Sequence, residues 1–381
     1  MYHLSGRKKN AIINTGISFY LSEAFHMAVS YLLLYSSSII LIITVLLPLW
    51  KKDIWVVRIF DYPRLQKFSL GLLVCFCWAY PLYRGAEWYD YLIFGILVAC
   101  LLHLVWLILH FSPLGKQMIS KVSLSGDRPT FNILVSNVFQ DNRNYDRLLA
   151  LVEERKPDIV FLLETDDGWL QGVKKLRNDF PYYIEVPQGN TYGLLFYSRL
   201  PISKQQVNYL IDKEIPSLIA EVEFDKHRVK VFGLHPSPPT PQENTYSTDR
   251  DAEILMVGKM AKKEKGPCLV IGDLNDVAWS YTTELFLKTS SLLDPRRGRG
   301  LYSTFHARYP FLRWPLDHFF VSSHFGLVNM KVEKNIGSDH FPISICLLIS
   351  NHDNGEPIEP EAGDRQLAEE KIEAGLADDP R

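Results

Sequence analysis

The sequence predicts a mixed α/β domain carried behind membrane-spanning helices, and three observations lead there. Long apolar runs without a charge lie near the start of the chain. From Phe131 onward strand-like and helix-like periodicities alternate, and the strand-like runs repeatedly end on a carboxylate, amide or imidazole. At 381 residues and 47% hydrophobic content the composition is ordinary for a globular protein, but its distribution is uneven.

The runs Val29 to Trp50 (VSYLLLYSSSIILIITVLLPLW) and Tyr91 to Phe111 (YLIFGILVACLLHLVWLILHF) are each roughly 20 residues long, the length that crosses a bilayer's hydrocarbon core. Between them Phe68 to Tyr83 is apolar, shorter, and carries Pro81 near its end, and it reads as a third span. A cleaved signal peptide would be one shorter run, so several long runs flanked by Trp and Tyr point to a membrane protein. With three spans, Arg7, Lys8 and Lys9 share a side with Arg84, whereas Lys51, Lys52, Arg58, Arg64 and Lys67 share a side with Lys116 and Lys121. The second group is richer, and by positive-inside counting it favours a cytoplasmic C-terminal region. The expected organisation is an N-terminal tail (1–27), a membrane domain (28–111), a linker (112–129), an α/β domain (130–350) and an acidic, disordered tail (351–381) too poor in large apolar residues to order itself.

In the soluble part FNILVSNV alternates as a strand, YDRLLALVEERKP places Leu148, Leu149, Leu151 and Val152 on one side of a helix that Pro157 stops, and DIVFLLE is a buried strand ending on an acid. Further strands are expected at Gly193 to Tyr197, Ile219 to Phe224, Val229 to Leu234, Cys268 to Ile271, His318 to Val321 and Ile343 to Ile349, with a helix from Arg250 to Lys262. The five cysteines have neither zinc-site nor disulfide spacing and read as free thiols. A net charge of −2 gives no sign of an overall basic nucleic-acid binder.

Asn137, Glu164, His235, Asp273 with Asn275, and Asp339 with His340 all fall at strand ends. One such residue is usually a satisfied turn, but repetition at five ends suggests a shared cleft. Carboxylate and amide oxygens without thiolates suit a hard cation, Mg²⁺ or Mn²⁺, and two histidines beside it suit work on a phosphoryl group. Asp276, in LVIGDLNDVAWS, reads as a turn residue.

The motifs Asn137, PDIVFLLET, GLLFYSRLPI, FGLHPSPP, VIGDLND, PLDHFFVSS and GSDHFPIS occur in an order that resembles the endonuclease/exonuclease/phosphatase superfamily, over about Phe131 to Ser350. That resemblance implies a four-layer α/β/β/α sandwich and metal-assisted hydrolysis of a phosphate ester. It implies Glu164 and Asp339 as metal-site carboxylates, Asn137 and Asn275 as phosphate-binding amides, and Asp273 as the group that orients or deprotonates the attacking water. His340 would contact the phosphoryl oxygens, Asp317 would orient it, and His235 would lie near the leaving group. Some nucleases of the family carry an acidic ligand two residues after the first asparagine, where this chain has Phe139.

The three spans, HPSPP and RGLYSTF are similar to those of membrane-anchored bacterial members, which implies an inner-membrane, multi-pass protein whose domain lies outside the cytoplasm, against the charge count. Arg296, Arg297, Arg299, Arg308 and Arg313, interleaved with aromatics, could grip a nucleic-acid backbone, a lipid headgroup or a sugar phosphate. No feature points to an obligate protein partner. A nuclease acting on DNA or RNA and a non-catalytic membrane-anchored binding module remain the alternative readings.

Overall fold

Runs of apolar residues too long for a strand become helices in the first part of the chain, and the shorter alternating runs become sheets. The structure, a computed structural model, describes residues 5–123, 128–350 and 352–377, with side chains from residue 21 onward; those of Arg7, Lys8 and Lys9, and residues 378–381 of the acidic tail, lie outside the described residues. Two compact units form, one of Met1–Trp50 and Arg64–Trp106, the other of Lys51–Pro63 and Leu107–Arg381.

The first unit contains α1 (Ser5–Leu46), α3 (Arg64–Gly85) and most of α4 (Trp88–Phe111), and the short α2 (Trp55–Arg58) belongs to the second unit. Three helices, Leu21–Trp50, Arg64–Gly85 and Trp88–Phe111, are long and apolar enough to cross a membrane. The middle candidate is therefore longer than its apolar run suggested, and the expected N-terminal tail is helical from Ser5. Leu41, Val74, Trp78 and Leu97 are buried together, and the Trp78 indole donates to Ser38 Oγ at 3.0 Å. Leu32, Leu33, Ile40, Phe76 and Leu102 face outward, an arrangement suited to hydrocarbon rather than water.

The second unit is a mixed α/β sandwich of two sheets. Its strands are β1 (Phe131–Asn137), β2 (Ile159–Leu163), β3 (Tyr182–Val186), β4 (Leu194–Ser198), β5 (Ile202–Asn208), β6 (Ser217–Phe224), β7 (His227–Leu234), β8 (Cys268–Asp273), β9 (Asp317–Val321), β10 (Phe325–Val332) and β11 (Ile343–Ile349). One sheet runs β10-β11-β1-β2-β4-β3 and the other β5-β6-β7-β8-β9. Strand β1 explains the layering by its alternation. Ile133 and Val135 enter the core between the sheets, while Leu134 packs outward with Val160, Leu162 and Leu195 under α5 (Tyr145–Arg155) and α6 (Asp167–Gly172). Both faces are covered, so Ile133, Leu134 and Val135 form an unbroken apolar run. A Cβ on Gly233 would meet Phe161 Cζ at 2.7 Å, so the sheets close only around a bare backbone there.

On the other side lie α7 (Thr248–Lys262), α8 (Tyr281–Ser290) and α9 (Asp364–Leu376), with the Phe286 and Phe320 rings 4.8 Å apart. Helix α8 starts on Ser280, whose Oγ accepts from Thr283 N at 2.9 Å, and α5 ends on left-handed Lys156 before Pro157. The tail expected to be disordered forms α9 instead. Few apolar residues suffice because Ala368 and Ile372 fall four apart on one buried face, and a Cβ on Gly375 would lie only 2.3 Å from Ala252 Cβ, so the helix lies close against α7. Among the described residues all five cysteines are free.

The segment Lys51–Pro63 is also part of this sandwich. Trp55 N donates to Thr245 O (2.9 Å) and Ser247 N to Asp53 O (2.7 Å). Arg58, only 2% exposed, reaches Asp251 Oδ2 at 3.4 Å and Thr282 Oγ1 at 2.5 Å, while Lys371 of α9 reaches Asp251 at 3.0 Å and Asp53 at 2.6 Å. Arg250 Nη2 donates to the other Asp251 oxygen at 2.8 Å. Burial opposes ionisation of Asp251, but Lys371, Arg250 and Arg58 outweigh it and hold the carboxyl well below the usual range.

Two stability tests follow from these buried charges. Asp251→Asn leaves Arg58, Arg250 and Lys371 without their shared anion and is expected to cost about 3–5 kcal/mol in denaturant unfolding of the solubilised protein; a loss within about 1 kcal/mol would contradict the network. Glu253, buried in α7 with Oε1 unpartnered, is pushed up to about 8 by burial against a hydrogen bond from Ser217. The folded protein thus keeps this proton where the unfolded chain releases it near 4.5, so stability falls as pH rises from there through about 8. Glu253→Gln is expected to raise the melting temperature at pH 8, with the gain shrinking toward pH 4.5, and a pH-independent difference would refute this assignment.

Candidate active site

Topology brings the polar strand ends to one edge. Parallel β1 and β2 end at Asn137 and, one residue on, at Glu164; parallel β7 and β8 end before His235 and at Asp273. Strand β9 runs antiparallel to β8, so its first residue, Asp317, pairs with Asp273, the last residue of β8. Strand β11 runs antiparallel to β1 with Ile343 opposite Val135, which delivers the preceding Asp339 and His340 to the same edge.

Asn137 joins the two sheets. Its Nδ2 donates to Glu164 Oε1 at 2.7 Å and to Asp273 Oδ2 at 3.0 Å, while Oδ1 accepts from Phe139 N at 3.0 Å. A flipped amide would set NH₂ against that N–H, so the amide faces both carboxylates as a donor. Phe139 does this from the left-handed region (φ 58°), as do Glu164 (φ 58°) and Asn275 (φ 50°). Three non-glycine residues in that region at one edge indicate backbone held in unfavourable conformations by its surroundings.

His340 Nδ1 lies 2.8 Å from Asp317 Oδ2 and its Nε2 3.5 Å from Asp273 Oδ2. Since Asp317 accepts at Nδ1, Nε2 faces Asp273. The ring packs against Phe305 at 4.9 Å, and His340 N donates to Ser338 Oγ, which itself donates to Asn137 O at 2.9 Å. His235 Nε2 is 4.0 Å from Asp273 Oδ2, its Nδ1 is buried without a partner, and its ring lies 5.3 Å from that of Tyr192. Asp273 Oδ1 accepts from Asn275 N at 2.9 Å, and Asn275 Nδ2 donates to Pro236 O at 3.0 Å. Asp276 turns away from the cleft: Ser280 Oγ donates to it at 2.5 Å and Val277 N at 3.0 Å, so its role as a turn residue holds.

Burial raises Glu164 to about 7, against the Asn137 hydrogen bond and the more distant His340, with Asp339 and Asp273 adding to the rise. Asp273 is likewise pushed up by burial. The two histidines diverge. Desolvation lowers His235 to about 4, whereas Asp317 and Asp273 overcome desolvation of His340 and raise it to about 10.

Glu164, desolvated and beside Asp273 and Asp339, has no guanidinium or ammonium among the groups that hold its charge. Its hard oxygens fit a divalent cation, which would restore its ionised form. Among the described residues the three-ligand convergence lies elsewhere: Asp273, Asp317 and His340 offer ligand atoms within 4.8 Å of one another. There His340 Nδ1 is already engaged by Asp317 and the ring is held protonated, so the Glu164 side is the better cation site.

Several participants escaped sequence reasoning. Arg250 Nη1 (2.7 Å) and Tyr62 Oη (3.0 Å) both donate to Asn275 O and pin the loop after β8. Arg250 offered a faint signal, a cation on the otherwise core-facing start of α7; Tyr62, in the segment between two apolar helices, offered none. The arginine-rich stretch is mostly structural. Arg296 is fully buried against Asp294 and touches His318 Nδ1, Arg297 pairs with Glu284, Arg299 bonds Gln117 and Ile119 O, and Arg313 bonds Ala307 O. Arg308 lies over the Phe139 ring at 5.6 Å, beside the cleft.

Residues 130–340 match the model of the family described as Endonuclease/Exonuclease/phosphatase family. Similar solved structures include D. rerio TDP2 complexed with single-strand DNA product, at 18% identity over 57% of this chain and 98% of that one, with a TM-score of 0.49. An endonuclease/exonuclease/phosphatase from Bacteroides vulgatus matches at 17% identity over 58% and 100% (TM-score 0.49), and a conserved protein of unknown function from Enterococcus faecalis at 15% over 58% and 100% (TM-score 0.48). No curated protein matches. With more than half its length matched and the expected two-sheet sandwich in place, this chain belongs to the endonuclease/exonuclease/phosphatase family, whose members include metal-dependent phosphoesterases and nucleases.

Proposed function

We propose that this protein is a membrane-anchored, divalent-metal-dependent phosphoesterase that cleaves a phosphodiester or phosphomonoester by attack of water. The observation that carries this reading is the Asp317–His340 pair facing Asp273, with Asp273 tied through Asn137 to Glu164. A binding module needs no such set.

Glu164 and Asp339 would hold Mg²⁺ or Mn²⁺, which when bound supplies Lewis acidity toward a phosphoryl oxygen. His340, kept protonated by Asp317 and Asp273, donates from Nε2 to a non-bridging phosphate oxygen and stabilises the charge that grows there. Asp273 accepts the proton of the attacking water; its oxygens are already oriented by Asn137 and Asn275 N–H. Asn275 adds a phosphate contact from a loop fixed by Arg250 and Tyr62. His235, held neutral by burial, serves as a hydrogen-bonding group near the leaving oxygen, not as a cationic acid.

Three helices able to cross a membrane support a membrane-embedded protein, which we place, on the family resemblance, as multi-pass in the bacterial inner membrane. The segment Lys51–Pro63 and the domain after α4 form one unit, so both need the same side, and crossings by α3 and α4 between them provide that. The charge count against an extracytoplasmic domain also weakens, because Arg58 is buried against Asp251 rather than free in a loop. A reporter fused after the last residue tests the side: activity of an alkaline phosphatase fusion supports the outside, and fluorescence of a cytoplasm-dependent reporter refutes it.

Purified full-length protein is expected to hydrolyse bis(p-nitrophenyl) phosphate or p-nitrophenyl phosphate with Mg²⁺ or Mn²⁺ and to stop with chelator. Asp273→Asn and His340→Ala should each lower kcat by about 10²–10⁴-fold. Asn137→Ala should weaken Mn²⁺ binding, read by titration calorimetry, by roughly 10–100-fold, because Glu164 loses the donor that orients it. Metal-independent hydrolysis, or an Asp273→Asn variant as active as wild type, would remove the basis for the proposal.

A further inference from the structure

We propose that the phosphate ester this site cleaves is carried by a lipid lying in the bilayer, and that the loop 305–314 contacts the membrane beside the catalytic edge. This deepens the hydrolase reading above and rests on it.

The first ground is where the chain leaves the catalytic unit. Tyr62 stands two residues before Arg64, the start of α3, and its hydroxyl donates to Asn275 O at 3.0 Å while its ring meets Trp314 at 5.6 Å. Trp314 pairs through its backbone with Phe305, whose ring lies against His340. At the other exit Gly298 N donates to His110 O at 2.8 Å, and Phe111, the last residue of α4, packs on Trp279 at 5.9 Å. Trp279 Nε1 in turn donates to Asp61 O at 2.8 Å. Both points at which the chain passes into an apolar helix are therefore bonded to the loops that border Asp273, Asn275 and His340. The residues at which the chain enters α3 and leaves α4 thus belong to the sandwich itself and are fixed to these loops by hydrogen bonds and rings.

The second ground is the surface of the loop 305–314. Tyr309 is 56%, Phe311 85% and Leu312 47% exposed, with Arg308 and Arg313 on either side of them. Aromatic and aliphatic tips beside an arginine are costly in water and suit the headgroup boundary of a bilayer, where the rings insert and the exposed Arg308 guanidinium meets phosphates. A nucleic-acid substrate would call for a basic track, but Arg296, Arg297 and Arg299 of the preceding stretch are spent on Asp294, Glu284 and Ile119 O.

The test uses the full chain in lipid nanodiscs with three p-nitrophenyl phosphodiesters that share one leaving group and differ in the second ester: hexadecyl, phenyl and thymidine. Wild type is expected to show kcat/KM at least about tenfold higher for the hexadecyl ester than for the phenyl ester, because the tail is held in the bilayer. The double variant F311S/L312S should lose that preference through KM, with the phenyl ester changed by no more than about twofold, and F311W should retain it. Equal rates on all three esters, a preference for the thymidine ester, or a hexadecyl preference that survives F311S/L312S overturns the proposal. Hydrolysis of p-nitrophenyl phosphate but of none of the three diesters overturns this inference alone, and hydrolysis of neither the diesters nor p-nitrophenyl phosphate sinks the hydrolase reading, and this inference with it.

Discussion

Arg250 is the guanidinium on which the two buried charge clusters of the sandwich meet. One side of it serves the loop after β8, through Asn275 O at 2.7 Å and Asp276 Oδ2 at 3.5 Å; the other serves Asp251 at 2.8 Å, where Arg58 and Lys371 also converge. A buried cation must be paired or be lost to desolvation, so each partner is fixed once Arg250 is placed. The geometry of Asn275, left-handed and next to the site, therefore depends on charges from α2, α7 and α9.

This dependence joins the segment Lys51–Pro63 to the candidate site. Arg58, Asp61 and Tyr62 come from the segment between two apolar helices, yet they complete the core of the sandwich and hold the loop after β8. A fragment cut at the family match, residues 130–340, would keep every candidate site residue and lose Tyr62, one of the two donors to Asn275 O. It would also strip Asp251 of two of its three cations, Arg58 and Lys371, leaving Arg250. The chain between the first two apolar helices is in this sense part of the α/β sandwich.

The legible part of the fold was the part governed by local pattern. Strands β1, β2, β4, β7, β8, β9 and β11 announce themselves through runs of buried apolar residues, and Asn137, Glu164, His235, Asp273 and His340 stand out in the sequence because each borders such a run, whereas Asp317 follows only from the family resemblance. Edge strands β3 and β5 carry exposed Tyr182, Lys204 and Gln205 and give no such signal. Helix α9 was missed because its order comes from Ala368, Ile372 and Lys371 meeting a distant surface, not from its own hydrophobicity. The arginines after Asp294 misled for the same reason: their carboxylate partners lie in the fold, and Arg296 in particular is wholly enclosed. Long-range pairing of charges leaves no periodic trace.

The two histidines show how one edge supports different roles from the same side chain. Asp317 accepts from His340 Nδ1 and Asp273 faces Nε2, so the protonated form is stabilised on both sides despite complete burial. His235 is equally enclosed but has Asp273 only at 4.0 Å and an unpartnered Nδ1, and burial wins. A ring that keeps its proton to about 10 cannot take one from water at neutral pH, and a ring that is neutral above about 4 is a poor cationic donor. In the proposed hydrolysis, of the groups around Asp273, that leaves the carboxylate itself to accept the proton of an attacking water, with His340 as the donor to the phosphate oxygens. Asp273 can fill that role only while ionised, and three of its neighbours, Asn137, Asn275 N–H and His340, each favour the charged form against the burial that opposes it.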